Sequence, residues 1–352
     1  MKNLPYWCAY LVPAAMLFGF ARGSPWPGVV FVAFGAVVAL DIVVVARGAP
    51  VESGRDDVVL RLAMWLWLPT YAALLLLALI ALTRAPWSLA QFIGTAMGVG
   101  MTGGMLAGPV AHDLMDRRSR GERVMAEVLL ALCGYAHFCV EHVRGHHVRV
   151  ATAHDAATAR AGESVYRFLA RALPDGFVDA WRLEAARLQA RGRHWLSPQN
   201  AVVRGVVLTV LAGAVATAAF GLVGIAFVVV QGAIAALVLE TINYVQHYAL
   251  ERRALPDGGY EPVSAMHAWN ADHRVSNYVL LGLGCHSDHH CHPGKSCASL
   301  GVPASAPTLP TGLCGMCMLA LVPPLWFAVM DPLAAHYRRA AAPGAAAEVP
   351  SA

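Results

Sequence analysis

Residues 201–248 read AVVRGVVLTVLAGAVATAAFGLVGIAFVVVQGAIAALVLETINYVQHY, and between Arg204 and Glu240 the stretch carries no charged side chain. A membrane helix needs about 20 mostly apolar residues. The stretch therefore divides at Gly221 and Gly224 into two spans, 202–222 and 223–242, joined by a tight hairpin. The whole chain shares this character. Of its 352 residues 57% are hydrophobic and only 14% charged, against about 25% charged in an average soluble domain. Disorder and a collagen-like fibre are excluded on that ground, an ordinary soluble globule is disfavoured, and eight Cys are too sparse for a disulfide scaffold. Working outward, further spans fall at 5–21, 26–46, 60–83 and 88–111. The N-terminal segment MKNLPYWCAYLVPAAMLFGF has one Lys, then an apolar run without a small-residue cleavage motif, and reads as a first membrane helix. The shorter apolar segments 126–140 and 313–330, the latter broken by Pro323 and Pro324, read as packed or interfacial. The fold class is an all-α integral membrane protein with about six transmembrane helices.

The cations set an orientation. With the N-terminus on the cytoplasmic side, the outer loops near 22–25, 84–87 and 221–224 hold only Arg22 and Arg84, so 26 − 2 = 24 Lys and Arg lie inside. This is the positive-inside pattern. It places 112–201 and 243–310 together as a cytoplasmic cap. Within the cap, 160–196 reads as two amphipathic helices broken at Pro174-Asp175-Gly176, with Arg-rich faces turned to solvent or lipid headgroups. Residues 1–333 form a single membrane-embedded domain, and 334–352 an Ala-rich disordered tail. Nothing suggests nucleic-acid binding.

His142, His146 and His147 lie in EHVRGHH, and His286, His289 and His290 in HSDHH. Residues three and four apart share a helix face, so each motif can aim two or three imidazoles at one place. His112, in HDLMDRR, and His247, in NYVQHY, sit at the inner ends of the fourth and sixth spans. All four groups converge on one membrane face. Neutral imidazole is a common ligand for Fe, Zn, Cu and Ni, and ionisable groups at membrane depth default to a functional reading. Eight His exceed the capacity of one ion, so the pattern predicts a dimetal site. His137, His154, His194 and His336 read as packed or solvated, and His267, His273 and His292 as flanking the third cluster.

At these residues the chain resembles the membrane-bound alkane 1-monooxygenases, non-haem di-iron enzymes of the wider histidine-box group that includes xylene monooxygenases and fatty acid desaturases. The likeness runs from about residue 35 to 333. It is carried by EHVRGHHVRVAT, GESVYRF, LETINYVQHY, HAWNADHRVSN, HSDHH, APTLPTG and LALVPPLWFAVMDP. The resemblance implies O₂-dependent terminal hydroxylation of medium- and long-chain alkanes at two Fe ions, in the bacterial inner membrane. It also implies electrons from rubredoxin and its NAD(P)H-dependent reductase. The implied ligands are His112, His142, His146, His147, His247, His286, His289 and His290. Asp113, Glu141, Gln246 and Asp288 are the implied hydrogen-bonding supports.

The departures cluster at the site. The family's first box is His-Glu-Leu-x-His, whereas here it is His112-Asp113-Leu114-Met115-Asp116. A ligand His has become Asp116, which can still bind iron. The family's Glu before the additional His is Gln246, and the Gly two residues after that His is Ala249. Gly284 and Cys285 replace a Gln-Arg pair, and Cys291 and His292 replace Ala and Asn. These changes leave two alternatives open: a hydroxylase or desaturase of another apolar chain such as a fatty acyl group, or a catalytically silent metal-binding relative. Elsewhere, Cys314 and Cys317 read as packing, Cys285, Cys291 and Cys297 as a weak second metal motif, and Asp41 as structural. The Gly-rich GTAMGVGMTGG at 94–104 permits close helix packing.

Overall fold

The computed structural model describes residues 3–22, 28–44, 58–84 and 86–341, and every regular element among them is helical. The elements that position the site are α1 (Leu4–Ala21), α2 (Gly28–Val43), α3 (Val58–Arg84) and α4 (Leu89–Thr102). A π-helical segment, π1 (Gly103–Ala107), carries α4 into α5 (Gly108–Met115) without a break. Then come α6 (Arg120–Leu132), a second π-helical segment π2 (Glu141–His146), α7 (Val165–Gln189), α8 (Ala201–Phe220) and α9 (Leu222–Gln246). Three short helices follow, α10 (Arg274–Val279), α11 (His286–Cys291) and α12 (Leu313–Ala320), and then the longer α13 (Pro323–Ala340).

Among the described residues four helices, α1, α3, α8 and α9, are long and apolar enough to cross a membrane. The other two expected spans are shorter as helices. Of 26–46 the structure shows α2, with residues 26–27 and 45–46 outside the described residues. The segment 88–111 becomes α4, π1 and α5 in series. Neither 126–140 nor 313–330 forms a span among the described residues, as their length and prolines require.

Local signals start these helices. Ser88 caps α4 in a reciprocal box with Gln91, Ser119 caps α6 through the Glu122 N–H, and Asn200 caps α8 by accepting from Val202 and Val203. Packing then centres on α9, which touches α4, π1, α7, α8 and α12. The α4–α9 contact is close because glycines recur at four-residue spacing. A Cβ on Gly100 would stand 2.6 Å from the Gln231 carbonyl, and one on Gly104 2.5 Å from the Ala235 carbonyl. Helices in lipid associate by such close approach, since burial from water gives them no drive. Inside this interface the buried Tyr71 hydroxyl donates to Gln231 Oε1 at 2.7 Å.

Two expectations need correction. Pro174 does not break 160–196: α7 is one helix of 25 residues. Its buried positions Phe168, Ala172, Gly176, Ala180, Glu184 and Leu188 recur every four residues across the proline, while Pro174 faces outward. A continuous buried stripe therefore outweighs the backbone bond the proline removes. The second correction concerns the tail. Helix α13 runs through Pro332 to Ala340 with Ala334 fully buried, so only 342–352, outside the described residues, keeps the disordered expectation. Asp41 is structural as expected, its carboxylate accepting from the Ser276 backbone N–H at 3.1 Å and tying α2 to α10.

Replacing Gly100 by Ala is expected to cost about 1–3 kcal/mol, because the added methyl forces α4 and α9 apart. Thermal unfolding in detergent checks this. Gly121→Ala, where only Ser119 comes near, should leave the midpoint unchanged or raise it.

Candidate metal centre

Four elements deliver eight imidazoles. His112 lies on α5, His142 and His146 on π2 with His147 directly after it, His247 at the C-terminal cap of α9, and His286, His289 and His290 on α11. They sort into two groups whose ligand atoms lie within 4.8 Å of one another: His112, His142, His147 and His289; and His146, His247, His286 and His290. Each motif thus feeds both groups rather than one.

The π turn explains the partition. In an α-helix, His142 and His146 would share a face. The wider π turn instead superposes residues five apart, and the His142 and His147 Nε2 atoms stand 2.8 Å apart. His146 is thereby released to the second group, where its Nε2 meets that of His290 at 3.2 Å. In α11 the ordinary spacing holds: His286 and His290 meet at 3.0 Å, and His289, on the adjoining face, reaches His147 at 3.1 Å. His247 and His286 complete the second group at 2.9 Å.

These separations fit metal binding. Two imidazoles bound about 2.1 Å from one ion at right angles hold their nitrogens about 3.0 Å apart. The Nε2 of His112 is buried without any hydrogen-bond partner, as an atom reserved for an ion would be. Protonation favours the same use. Burial, followed by the charges of His146 and His112, holds His147 down at about 2. Burial and neighbouring imidazoles also keep His286, His289 and His290 well below the usual range. All stay neutral, the form that ligates.

The surrounding groups differ between the two halves. His146 Nδ1 pairs with the buried Asp155 carboxylate at 2.9 Å, and Asp155 also accepts from the Thr158 hydroxyl at 2.6 Å. This fixes the His146 tautomer with its Nε2 lone pair turned inward. Nothing in the spacing of ATAHDAAT marks Asp155 as that support. Asp116 lies beside the first group, one oxygen 3.6 Å from His289 Nε2 and the other 3.9 Å from His147 Nδ1. Burial and then the charge of Asp113 push its carboxyl up to about 8.

The four expected supports lie as follows. Gln246 donates to the Leu283 carbonyl at 2.8 Å, holding the end of α9 against the approach to α11. Glu141 is buried with one oxygen unpartnered, turned toward Gly176 of α7. Asp113 accepts from Arg117 at 2.6 Å and from the Cys297 backbone at 3.0 Å. Asp288 accepts from His292, Lys295 and the Gly301 backbone. Asp113 and Asp288 thus tie loops to the site elements. Among the described residues, no Cys and none of the other seven His joins either group. His267 pairs instead with Glu261 at 3.2 Å.

The backbone around His247 is pinned: the Ala159 N–H donates to the His247 carbonyl at 3.2 Å, and the Ala249 N–H returns a bond to Ala159 at 2.8 Å. Ala249 reaches this at φ +58°, the left-handed region that favours glycine. A narrow apolar crevice of only about 20 Å³ lies against His112, walled by Gly104, Gly108, Phe138, Leu239 and Ile242.

Comparison with known proteins places the chain in a family. The fatty acid desaturase family model matches residues 85–303, more than half of the chain. Alkane 1-monooxygenase of Ectopseudomonas oleovorans is 39% identical over 77% of this chain and 68% of its own length. Alkane 1-monooxygenase 1 of Alcanivorax borkumensis is 35% identical over 92% and 82%, and alkane 1-monooxygenase 2 of Pseudomonas aeruginosa 34% identical over 96% and 93%.

Two outcomes are expected. Asp155→Asn should weaken metal retention by about 10–100-fold, read as metal per chain during graded chelation, whereas Thr158→Val should cost less. Ala249→Gly should raise the thermal midpoint by relieving about 1 kcal/mol of backbone strain; an unchanged or lower midpoint would count against strain at this turn.

Proposed function

The chain belongs to the fatty acid desaturase family, in the company of its alkane 1-monooxygenases, and on that premise we propose that it hydroxylates medium- and long-chain alkanes to 1-alkanols with O₂. The observation that carries the reading is the pair of four-histidine groups lying at the end of an apolar crevice. Two Fe ions, one per group, would supply the O₂ chemistry that places one oxygen atom in a C–H bond and releases the other as water.

The chain's own residues do the rest. His112, His142, His147 and His289 would hold one ion, with Asp116 as a further oxygen donor beside it. His146, His247, His286 and His290 would hold the other, with Asp155 orienting His146. The crevice between α4–α5 and α9 would have to widen to admit an unbranched apolar chain, which its walls next to His112, among them Gly104, Phe138, Leu239 and Ile242, would then hold by contact alone. Those walls also keep bulk water from the reacting carbon. Their polar exceptions, Asn243 and Gln246, stand near the ligand end of α9.

Residues 1–333 would act as one membrane-embedded unit in the bacterial inner membrane, with the histidine cap on the cytoplasmic side. Rubredoxin and its NAD(P)H-dependent reductase would deliver electrons there. The positive-inside distribution supports that orientation.

The test is conversion by membranes carrying the protein, supplied with NADH, rubredoxin and reductase. The expected outcome is hydrocarbon-dependent NADH use with 1-alkanol formed, about two irons per chain, and at least tenfold slower turnover for Asp116→Ala. No alcohol from any medium or long alkane would sink the reading. Asp116 favours a second reading, that of a silent metal-binding relative. It would stand if alcohol appeared only after Asp116→His with Gln246→Glu.

A further inference from the structure

A groove of about 1050 Å³ lies away from the histidines, where α6, the end of α7 and the start of α8 meet. Five cations line it: Arg120, Arg123, Arg187, Arg191 and Arg204. Val124, Val128, Val203, Val207 and Leu208 give it an apolar wall. Two of the cations are neutralised. Arg204 makes a bidentate pair with Glu127 at 3.1 and 3.0 Å, and Arg187 pairs with Glu184 at 2.7 Å. Arg123 donates only to the backbone carbonyls of Arg117 and Arg118. No carboxylate partners Arg120 or Arg191 among the described residues, and all three are exposed. The groove thus carries an uncompensated positive charge.

Its depth in the membrane can be read from α8. That helix begins at Ala201. Further along, Val207, Val210, Leu211 and Val215 are 49–68% exposed, an apolar stripe that faces lipid. Trp195 and Leu196, just before the helix, are also exposed, and an exposed Trp at the end of a span marks the headgroup level. The arginines therefore lie at headgroup height, with the apolar wall running down from them along the acyl region. A guanidinium is suited to bidentate phosphate binding, and basic pockets between spans at this height select anionic headgroups.

We propose that this groove is a binding site for an anionic diacyl phospholipid. The phosphate would sit among Arg120, Arg123 and Arg191, and one acyl chain would lie along Val203, Val207 and Leu208. The lipid would fill the notch between α6 and α8 and so brace the α7–α8 connection, which Glu184 already ties by accepting from the Ala201 N–H at 2.9 Å.

The test uses the full chain in nanodiscs of phosphatidylcholine, with and without phosphatidylglycerol. Bound lipid is counted by native mass spectrometry after transfer to detergent. The wild type is expected to retain phosphatidylglycerol over phosphatidylcholine. Arg120→Gln with Arg191→Gln should cut that preference by about 30-fold, from about 1 kcal/mol per cation. Glu127→Gln frees Arg204 and should raise it, an opposite sign that misfolding cannot imitate. Metal content should be unchanged in both variants. Equal retention of the two lipids by the wild type would overturn the proposal, as would a preference that survives the double substitution. Displacement of the bound lipid by millimolar inorganic phosphate would make this a free-anion site. Loss of the electron carrier's rate with lipid preference intact would make it a protein contact instead.

Discussion

Eight buried or half-buried imidazoles, gathered in two groups of four whose ligand atoms lie within 4.8 Å of one another, are the constraint on which this structure turns. Burial and mutual repulsion keep His147, His286, His289 and His290 uncharged, and several nitrogens of the set find no protein partner. A core of that kind is costly unless ions occupy it. The rest of the fold answers that cost. The glycine stripe of α4 lets α9 come close enough to present His247. The bridge between Ala159 and Tyr248 fixes the turn after it, and Asp41 anchors the segment leading to α11. The two groups are also unequal. One is buried throughout and has a carboxylate behind His146, while the other is partly open and has Asp116 at its side.

Much of this was legible in the residues. The spans at 202–222 and 223–242, the close packing at 94–104 and the eight histidines all follow from patterns that local physics enforces: apolar length, small residues and imidazole spacing. Two features were not legible. The assignment of each histidine to its group depends on a π turn, and no propensity or periodicity in EHVRGHH announces one. Asp155 supports His146 across nine residues of irregular chain, a contact fixed by tertiary packing. The continuity of α7 through Pro174 belongs with these, since the stripe that carries it is visible only once its neighbours are known. Ala249 runs the other way: its departure from the family's Gly was visible at once, but its meaning needed the positive φ.

The departures from the family pattern also separate by physical kind. Ala249 bears on backbone strain and Gln246 on a tie to Leu283. Asp113 ties α5 to the loop at Cys297. Asp116 alone brings a different donor atom to the ring of nitrogens, so the chemical question for this chain narrows to a single carboxylate.

The π turn at 141–146 has a further consequence, for length. A π turn holds one more residue than the α turn it replaces. Removing one residue there would let the turn close as an ordinary α turn, with His142 and the present His147 four apart and still on one face. The count in this segment and its hydrogen-bond spacing therefore change together, and the chain beyond keeps its register. The exposed stretch 190–199 between α7 and α8 has no such arithmetic to keep, and it is there that natural variation in chain length can be absorbed.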